Sequence, residues 1–373
     1  MTVGIFDISI AELCLVGVLF LAFVYEVYFY LRYMRLRATT HKVEEQPGVT
    51  VIVCAKNEAV NLHNYVQSLL TQDYPVYEVI LVNDGSEDNT QAVIDEYVTS
   101  CTRVRSTFVP RDARVRSTKK LGLTLAAKAA MYDYLLLTDA DCRPESKHWI
   151  STMMAGFGKP ETEVVLGYGG YFPEDSTLNE VIQYDTLFNG LHYLGAAAIG
   201  RPYMGVGRNL AYRKETFFTH GGFSDQMTER SGDDDLFVNK VATNTNTAIV
   251  TSPDSITWSI PKHSWHDWWL QKRRHVSVSP AYKPATKRQL THEPLARGLF
   301  YGIVIALFVL GEPLTMCVAF GLLLIRLLLQ LIILNNGAKR LGQPTFGIEL
   351  IWLDIFLPIV TAAAMIGKKR KNW

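Results

Sequence analysis

The sequence predicts an α/β body built on a parallel sheet and carried between N- and C-terminal transmembrane helices. Three observations lead there. Apolar runs crowd both ends of the 373-residue chain, while residues 41–297 read as soluble. Within that stretch, β-branched and aliphatic runs alternate with segments whose apolar residues recur at helical spacing, the pattern of a sheet covered on both faces. The strand-like runs also end in acids and amides, where open parallel sheets hold their ligands.

The first apolar run, residues 8–31, is long enough to span a bilayer. It lacks a basic n-region and a small-residue cleavage site, so residues 1–40 read as an anchor and linker, with a buried core helix as the alternative. Arg32, Arg35, Arg37 and Lys42 follow closely, which puts residue 1 outside and the body in the cytoplasm.

"VTVIVCAKNE" (49–58) is a buried parallel strand ending in polar residues. Leu62, Val66, Leu69 and Leu70 then repeat at helical spacing. "YEVILVNDGSEDNT" (77–90) is a second strand running into a turn, with a helix expected over 91–98. After a basic stretch, "LGLTLAAKAAMYDY" (121–134) is helical and "LLLTDADC" (135–142) is a third strand. Asn57 and Glu58, Asp84, and Asp139 and Asp141 therefore meet at one crevice.

Residues 259–297 read as an amphipathic interfacial segment, because "HSWHDWWLQKRR" gathers three tryptophans among basic residues. Its histidines lack the carboxylate pattern of a metal site. Residues 298–373 read as membrane segments broken at Gly311-Glu312-Pro313. Residues 299–310 are too short to cross a core of roughly 30 Å. Residues 314–334 are long enough, with Arg326 and Gln330 sharing a helix face that should meet protein. A last run, 346–366, precedes the basic tail "KKRKNW". Two C-terminal crossings, with 299–310 as the segment that does not cross, keep that tail inside.

A net charge of +1 gives no global field for nucleic acid. Five scattered cysteines without a CxxC fit a reducing compartment and argue against zinc.

Asp139 and Asp141 stand one residue apart at a strand end, where like charges repel unless something compensates them. A hard divalent cation would remove the repulsion and still leave open positions for phosphate oxygens. Two solvated loop acids are the plainer alternative for this pair by itself. It is accompanied, in order, by "VIVCAKNE", "VNDGSEDNT", "STKKLGLTLAAKAA", "GVGRNLAYRKETF", "SGDDDLF" and "QKRRH". Together these resemble the family 2 glycosyltransferases with a GT-A, Rossmann-like nucleotide-sugar fold, over residues 47–276. The layout is similar to hyaluronan, cellulose and ceramide-glucosyl transferases, with residues 47–258 as the catalytic domain.

The resemblance implies roles residue by residue. Ala55, Asn57 and Glu58 would line the nucleoside, and Asp84 the uracil and ribose. Lys119 and Lys120 would lie near the diphosphate, a task suited to a mobile point charge. Asp139 would sit nearest the nucleotide, and Asp141 would bind Mg²⁺ or Mn²⁺ directly. Gly207, Arg208 and Asn209 would meet the acceptor. "QKRRH" matches QxxRW, with Gln271 and Arg274 at the donor, but His275 stands where tryptophan is usual. That puts the acceptor platform in doubt and brings Trp269 forward. In "SGDDDLFVNKV", an ungapped match to the hyaluronan-type segment makes Asp234 the base, while aligning on Leu236 favours Asp233. A helix cap is the plainer reading of these acids.

The expected function is inverting transfer of a sugar from a UDP-sugar to a lipid or lipid-linked acceptor at the cytoplasmic face of a bacterial inner membrane. A processive or partner-assisted polysaccharide synthase is the alternative, and a non-catalytic nucleotide-sugar sensor a remoter one. Protein partners are not specified by the sequence.

Overall fold

The computed structural model describes residues 8–34, 36, 46–229 and 231–366. Arg35, Arg37, Lys42 and the basic tail lie outside the described residues.

Seven strands form the main sheet: β1 (Val49–Ala55), β2 (Tyr77–Asn83), β3 (Val104–Phe108), β4 (Tyr134–Asp139), β6 (Val164–Leu166), β8 (Leu210–Arg213) and β9 (Thr247–Ile249), in the order β3-β2-β1-β4-β8-β6-β9. β1 pairs in parallel with β2 and β4, and β2 with β3. β8 is antiparallel to both β4 and β6. The parallel half is what the β-branched runs predicted, and β2 is buried at every position. A small second sheet joins β5 (Cys142–Pro144), β10 (Thr257–Ser259) and β7 (Gly169–Tyr171) just beyond the end of β4.

α2 (Ala59–Leu70), α3 (Thr90–Ser100), α4 (Thr118–Ala129) and α5 (Trp149–Met154) belong to this α/β body. α6 (Thr177–Ala198) is almost wholly buried, and α7 (Lys214–Thr219) and α8 (Asp235–Val241) follow β8. α9 (Trp265–Val276) carries the QxxR-like segment.

Among the described residues, three helices are long and apolar enough to cross a membrane: α1 (Ile10–Tyr33), α10 (Pro284–Leu310) and α11 (Pro313–Arg340). This corrects the sequence reading of the C-terminal region. The run starting at residue 299 is the second half of a 27-residue helix that continues through Pro294, so the boundary at 297/298 falls inside it. The short apolar helix is instead α12 (Leu350–Ile366), with 17 residues. The break at Glu312-Pro313 holds, since Glu312 caps α11.

The bundle is tied at both ends. The Glu12 carboxylate at the start of α1 accepts the Glu312 N–H (2.6 Å) at the turn between α10 and α11. At the other end α1 meets the body, where a Cβ on Gly195 of α6 would lie 1.4 Å from the Tyr33 carbonyl oxygen. Only glycine lets the two backbones approach so closely.

A buried charge cluster joins α1, α10, α11, α12 and α6. Arg326 pairs with Glu26 (2.7 Å) and Asp354 (2.7 Å), and Arg297 with Asp354 (3.1 Å) and Glu293. Gln330, Tyr301 and Tyr184 add hydrogen bonds to Asp354. Arg326 and Gln330 thus face protein, and both are buried.

Candidate active site

The crevice opens at the carboxyl ends of β1, β2 and β4. Two loops form one wall and are sewn together. The Asp84 N–H donates to the Ala55 carbonyl (2.8 Å). Asn57, at φ +57°, donates its N–H to Ser86 Oγ (3.0 Å) and accepts from the Glu87 N–H (2.8 Å). The first amides of α2 are capped from the same loop, Glu58 N–H by Thr90 Oγ1 and Ala59 N–H by Asp88. Asn57 is therefore a brace of this wall. Asp84 is buried and its Oδ1 has no partner among the described residues. Burial pushes its carboxyl up, against Thr118, Lys56 and Lys119.

Asp139 ends β4 and Asp141 follows one residue on. Their carboxylates and the Cys142 thiol offer ligand atoms within 4.8 Å of one another. Cys142 is buried, with Sγ 2.9 Å from Ser259 Oγ, which leaves the two carboxylates as the hard donors. Burial works against the Asp139 charge, but Lys119, Arg208 and Arg274 outweigh it and hold this carboxyl below its usual value. Asp141 goes the other way: burial first, and then the Asp139 charge, raise it. Among the described residues it takes only a long thiol hydrogen bond from Cys142 (3.5 Å). A pocket of about 380 Å³ opens beside Asp141, lined by Glu58, Asn61, Lys262, His263 and Asp267.

Lys119 leaves α4 into the crevice and bridges Asp139 (3.0 Å) and Asp233 (3.1 Å). Its neighbour does not. Lys120 Nζ is buried and donates to the carbonyls of Gln226 (2.8 Å), Glu229 (2.9 Å) and Ser231 (2.9 Å), which takes all three ammonium hydrogens. The expected diphosphate role of Lys120 is corrected accordingly. Consecutive helical residues point about 100° apart, and here the two lysines reach different partners.

The acidic triplet is also divided. Asp234 caps α8: its Oδ1 accepts the Asp235 N–H (2.8 Å), and its Oδ2 the Gly207 N–H (2.6 Å). Burial and then the Asp233 charge push its carboxyl up to about 6, against Lys119 and the two amides. A Cβ on Gly207 would stand 3.3 Å from that same oxygen. Asp233, by contrast, faces Lys119 and through it Asp139. The capping role read as the plainer alternative therefore falls on Asp234.

Arg208 lies over the Tyr171 ring (4.3 Å), and Gln271 donates to the Tyr171 hydroxyl (2.9 Å). The Arg208 Nε is buried without a partner among the described residues. Tyr171 was missed in the sequence, where only its glycine-rich flank, "GYGGYF", hints at close packing. Asn209 is a correction: it is fully buried, accepts from Trp149 Nε1 and donates to the carbonyls of Tyr168 and Ser255, so it is closed to an acceptor. Arg274 and His275 are exposed at the end of α9, within electrostatic reach of Asp139. Trp269 is half-buried, while Trp268 is in the core and Trp265 meets Trp268 and Phe356 of α12 edge-on.

Paired carboxylates at the carboxyl ends of parallel strands stand where open α/β sheets hold their ligands. Residues 50–223 match the model of the family described as glycosyl transferase family 2. Among characterised relatives, the poly-beta-1,6-N-acetyl-D-glucosamine synthases of Staphylococcus epidermidis and Staphylococcus aureus (strain COL) are each 30% identical, over 117 and 119 residues. Both alignments cover 31% of this chain, and they span only 27% and 28% of the relatives. Among solved structures, the mannosyltransferase PcManGT from Pyrobaculum calidifontis, in complex with GDP-Man and Mn²⁺, shares the fold with a TM-score of 0.62 at 19% identity, over 96% of this chain and 99% of that one.

Proposed function

We propose that the protein is a membrane-anchored, inverting glycosyltransferase that moves one sugar from a UDP-sugar to a hydroxyl of a lipid or lipid-linked acceptor. The observation that carries this reading is the Asp139–Lys119–Asp233 line: donor-side and base-side carboxylates on either side of one cation, at the strand ends of a family 2 domain.

The residues present fit a nucleotide diphosphate with a divalent cation. Among the described residues, Asp84 Oδ1 is a buried acceptor without a donor, and Arg208 Nε a buried donor without an acceptor. Asp141, with Asp139, would hold Mg²⁺ or Mn²⁺, which would neutralise charge on the leaving diphosphate. Lys119, Arg208 and Arg274 would add positive charge from the protein side. Asp233 is the base in this reading. It takes the proton of the acceptor hydroxyl as that oxygen bonds to the anomeric carbon. The bond from that carbon to the diphosphate oxygen breaks, and UDP leaves with the electron pair. One displacement inverts the configuration.

The acceptor side is supported by the surface around α9. Trp265 is exposed there, and α12, packed against it, presents Ile351, Trp352, Ile355 and Ile359 outward. Such a face suits the membrane interface, from which a lipid reaches the crevice sideways. The second reading, a polysaccharide synthase, rests on the names of the staphylococcal relatives. The catalytic body is proposed on the cytoplasmic side of a bacterial inner membrane.

The test supplies purified protein in lipid discs with UDP-sugars, a GDP-sugar, and a membrane lipid extract, and reads product mass. One sugar added to a lipid from a UDP-sugar is expected. A ladder of sugars supports the synthase reading, and no transfer from any nucleotide sugar overturns both.

A further inference from the structure

We infer that Lys120 is a positioning residue for the proposed base: it clamps the loop that presents Asp233 instead of binding the donor diphosphate. The inference rests on the assignment of Asp233 above and deepens it.

Lys120 lies on the first turn of α4, after the capping Ser117, and its side chain is fully buried. Burying an ammonium is costly unless each of its hydrogens finds an acceptor. Here each does, in the carbonyls of Gln226, Glu229 and Ser231, at 2.8–2.9 Å. Three carbonyls of one short loop, in which the Glu229 N–H also donates to the Gln226 carbonyl (3.0 Å), point at one cation, and their dipoles would repel one another without it. The last of them, Ser231, is two residues before Asp233. Between them Gly232 takes φ +84°, a left-handed turn open to glycine, and packs against Leu236 and Val278. That turn delivers Asp233 to Lys119, 3.1 Å away.

Lys119 and Lys120 thus act from the same turn of α4 in different directions. One faces the carboxylates of the crevice, and the other fixes the backbone from which the nearer carboxylate hangs. No hydrogen on Lys120 is left for a phosphate oxygen. An error of about 1 Å in the position of a reacting group costs about 10²-fold in rate. A loosened loop should therefore lower turnover while donor affinity holds.

The experiment compares Lys120→Met, Lys120→Arg and Lys119→Met in the full-length protein in lipid discs. It reads UDP binding with Mn²⁺ by calorimetry, kcat and KM for the UDP-sugar, and amide hydrogen exchange. For Lys120→Met, a fall in kcat of about tenfold or more is expected, with UDP affinity and KM held within about twofold. Amides of residues 226–233 should exchange faster, while β1 and β4 keep their protection. Lys120→Arg keeps the charge and donors and should recover much of the lost protection. Lys119→Met should instead weaken UDP binding. Should Lys120→Met not fold, Lys120→Arg carries the test, with an intermediate kcat and intermediate loop exchange expected at unchanged UDP affinity. The inference is overturned if Lys120 variants weaken UDP binding about tenfold with loop exchange unchanged, since that is a diphosphate ligand's signature. If no nucleotide sugar is turned over at all, the functional reading fails, yet exchange and UDP binding still decide where Lys120 acts.

Discussion

In the helical bundle, Glu26, Glu293 and Asp354 each have an arginine partner, and the side chains of Arg326 and Asp354 are at most 1% exposed. In the crevice, Asp139 and Asp233 share one lysine, and among the described residues Asp141 and Asp234 have no ion pair at all. Asp139 keeps 36% of its side chain exposed. Both regions gather carboxylates from elements far apart in sequence. The bundle sets two arginines against its three carboxylates, with Gln330, Tyr301 and Tyr184 closing the remaining positions on Asp354. Such a cluster can hold helices together but has little left with which to bind anything. The crevice is short of cations where its acids are partly open to solvent, and this shortage is a demand that a divalent ion and a diphosphate's ligands can meet together.

The contrast should break first in the bundle. Arg326→Met leaves Glu26 without its partner and Asp354 with half of its own, and removing one member of a buried pair costs about 3–5 kcal/mol. Chemical unfolding in detergent should show a loss of that size. A loss under about 1 kcal/mol would mean that the cluster is not what holds α11 to α1 and α12.

In the crevice the large effect should fall on rate. Asp233→Asn keeps shape but cannot take the acceptor's proton, so transfer should drop by about 10²-fold or more with UDP affinity nearly unchanged. Asp234→Asn should cost less. The reverse order would return the base to Asp234, as the ungapped alignment had it.

A smaller effect concerns pH. The Asp234 carboxyl is raised to about 6, so it is charged above that value and protonated below it. Protonation removes an acceptor from the Gly207 or Asp235 amide. Transfer should therefore be flat above about pH 7 and fall as pH drops through about 6, and Asp234→Asn should flatten that limb. For stability the sign is opposite: between the unfolded value near 3.8 and about 6 the folded state holds the extra proton, so this group's contribution declines as pH rises through that window.

The smallest effect is on the stability of the crevice itself. Asp141→Asn relieves repulsion with Asp139 and should leave unfolding within about 0.5 kcal/mol of the parent, or slightly higher. A large loss would put Asp141 in the same class as Asp354.

What could be read in the sequence follows from burial. β1, β2 and β4 are legible because strands covered on both faces are written as unbroken apolar runs, and the acids at their ends stand out against that background. β3 was not recognised, because Arg105 and Ser106 interrupt an edge strand that is mostly exposed. Nothing local distinguishes Lys119 from Lys120, since the carbonyls that claim Lys120 lie more than a hundred residues away. Asn209 looked like part of an acceptor loop because its burial depends on Trp149 and Ser255, which sequence distance hides. α10 was cut short because the polar stretch before residue 299 reads as surface, whereas its Glu293 and Arg297 are buried against each other and α12.

The contrast between the two clusters is tested most directly by titrating UDP into the detergent-solubilised protein with Mn²⁺ and again in excess chelator, for the parent and for Asp141→Asn. The parent should bind UDP at least about tenfold more tightly with Mn²⁺, and Asp141→Asn should lose that difference while folding as before. Equal UDP affinity with and without the metal in the parent would contradict the claim that the crevice carboxylates await an external cation.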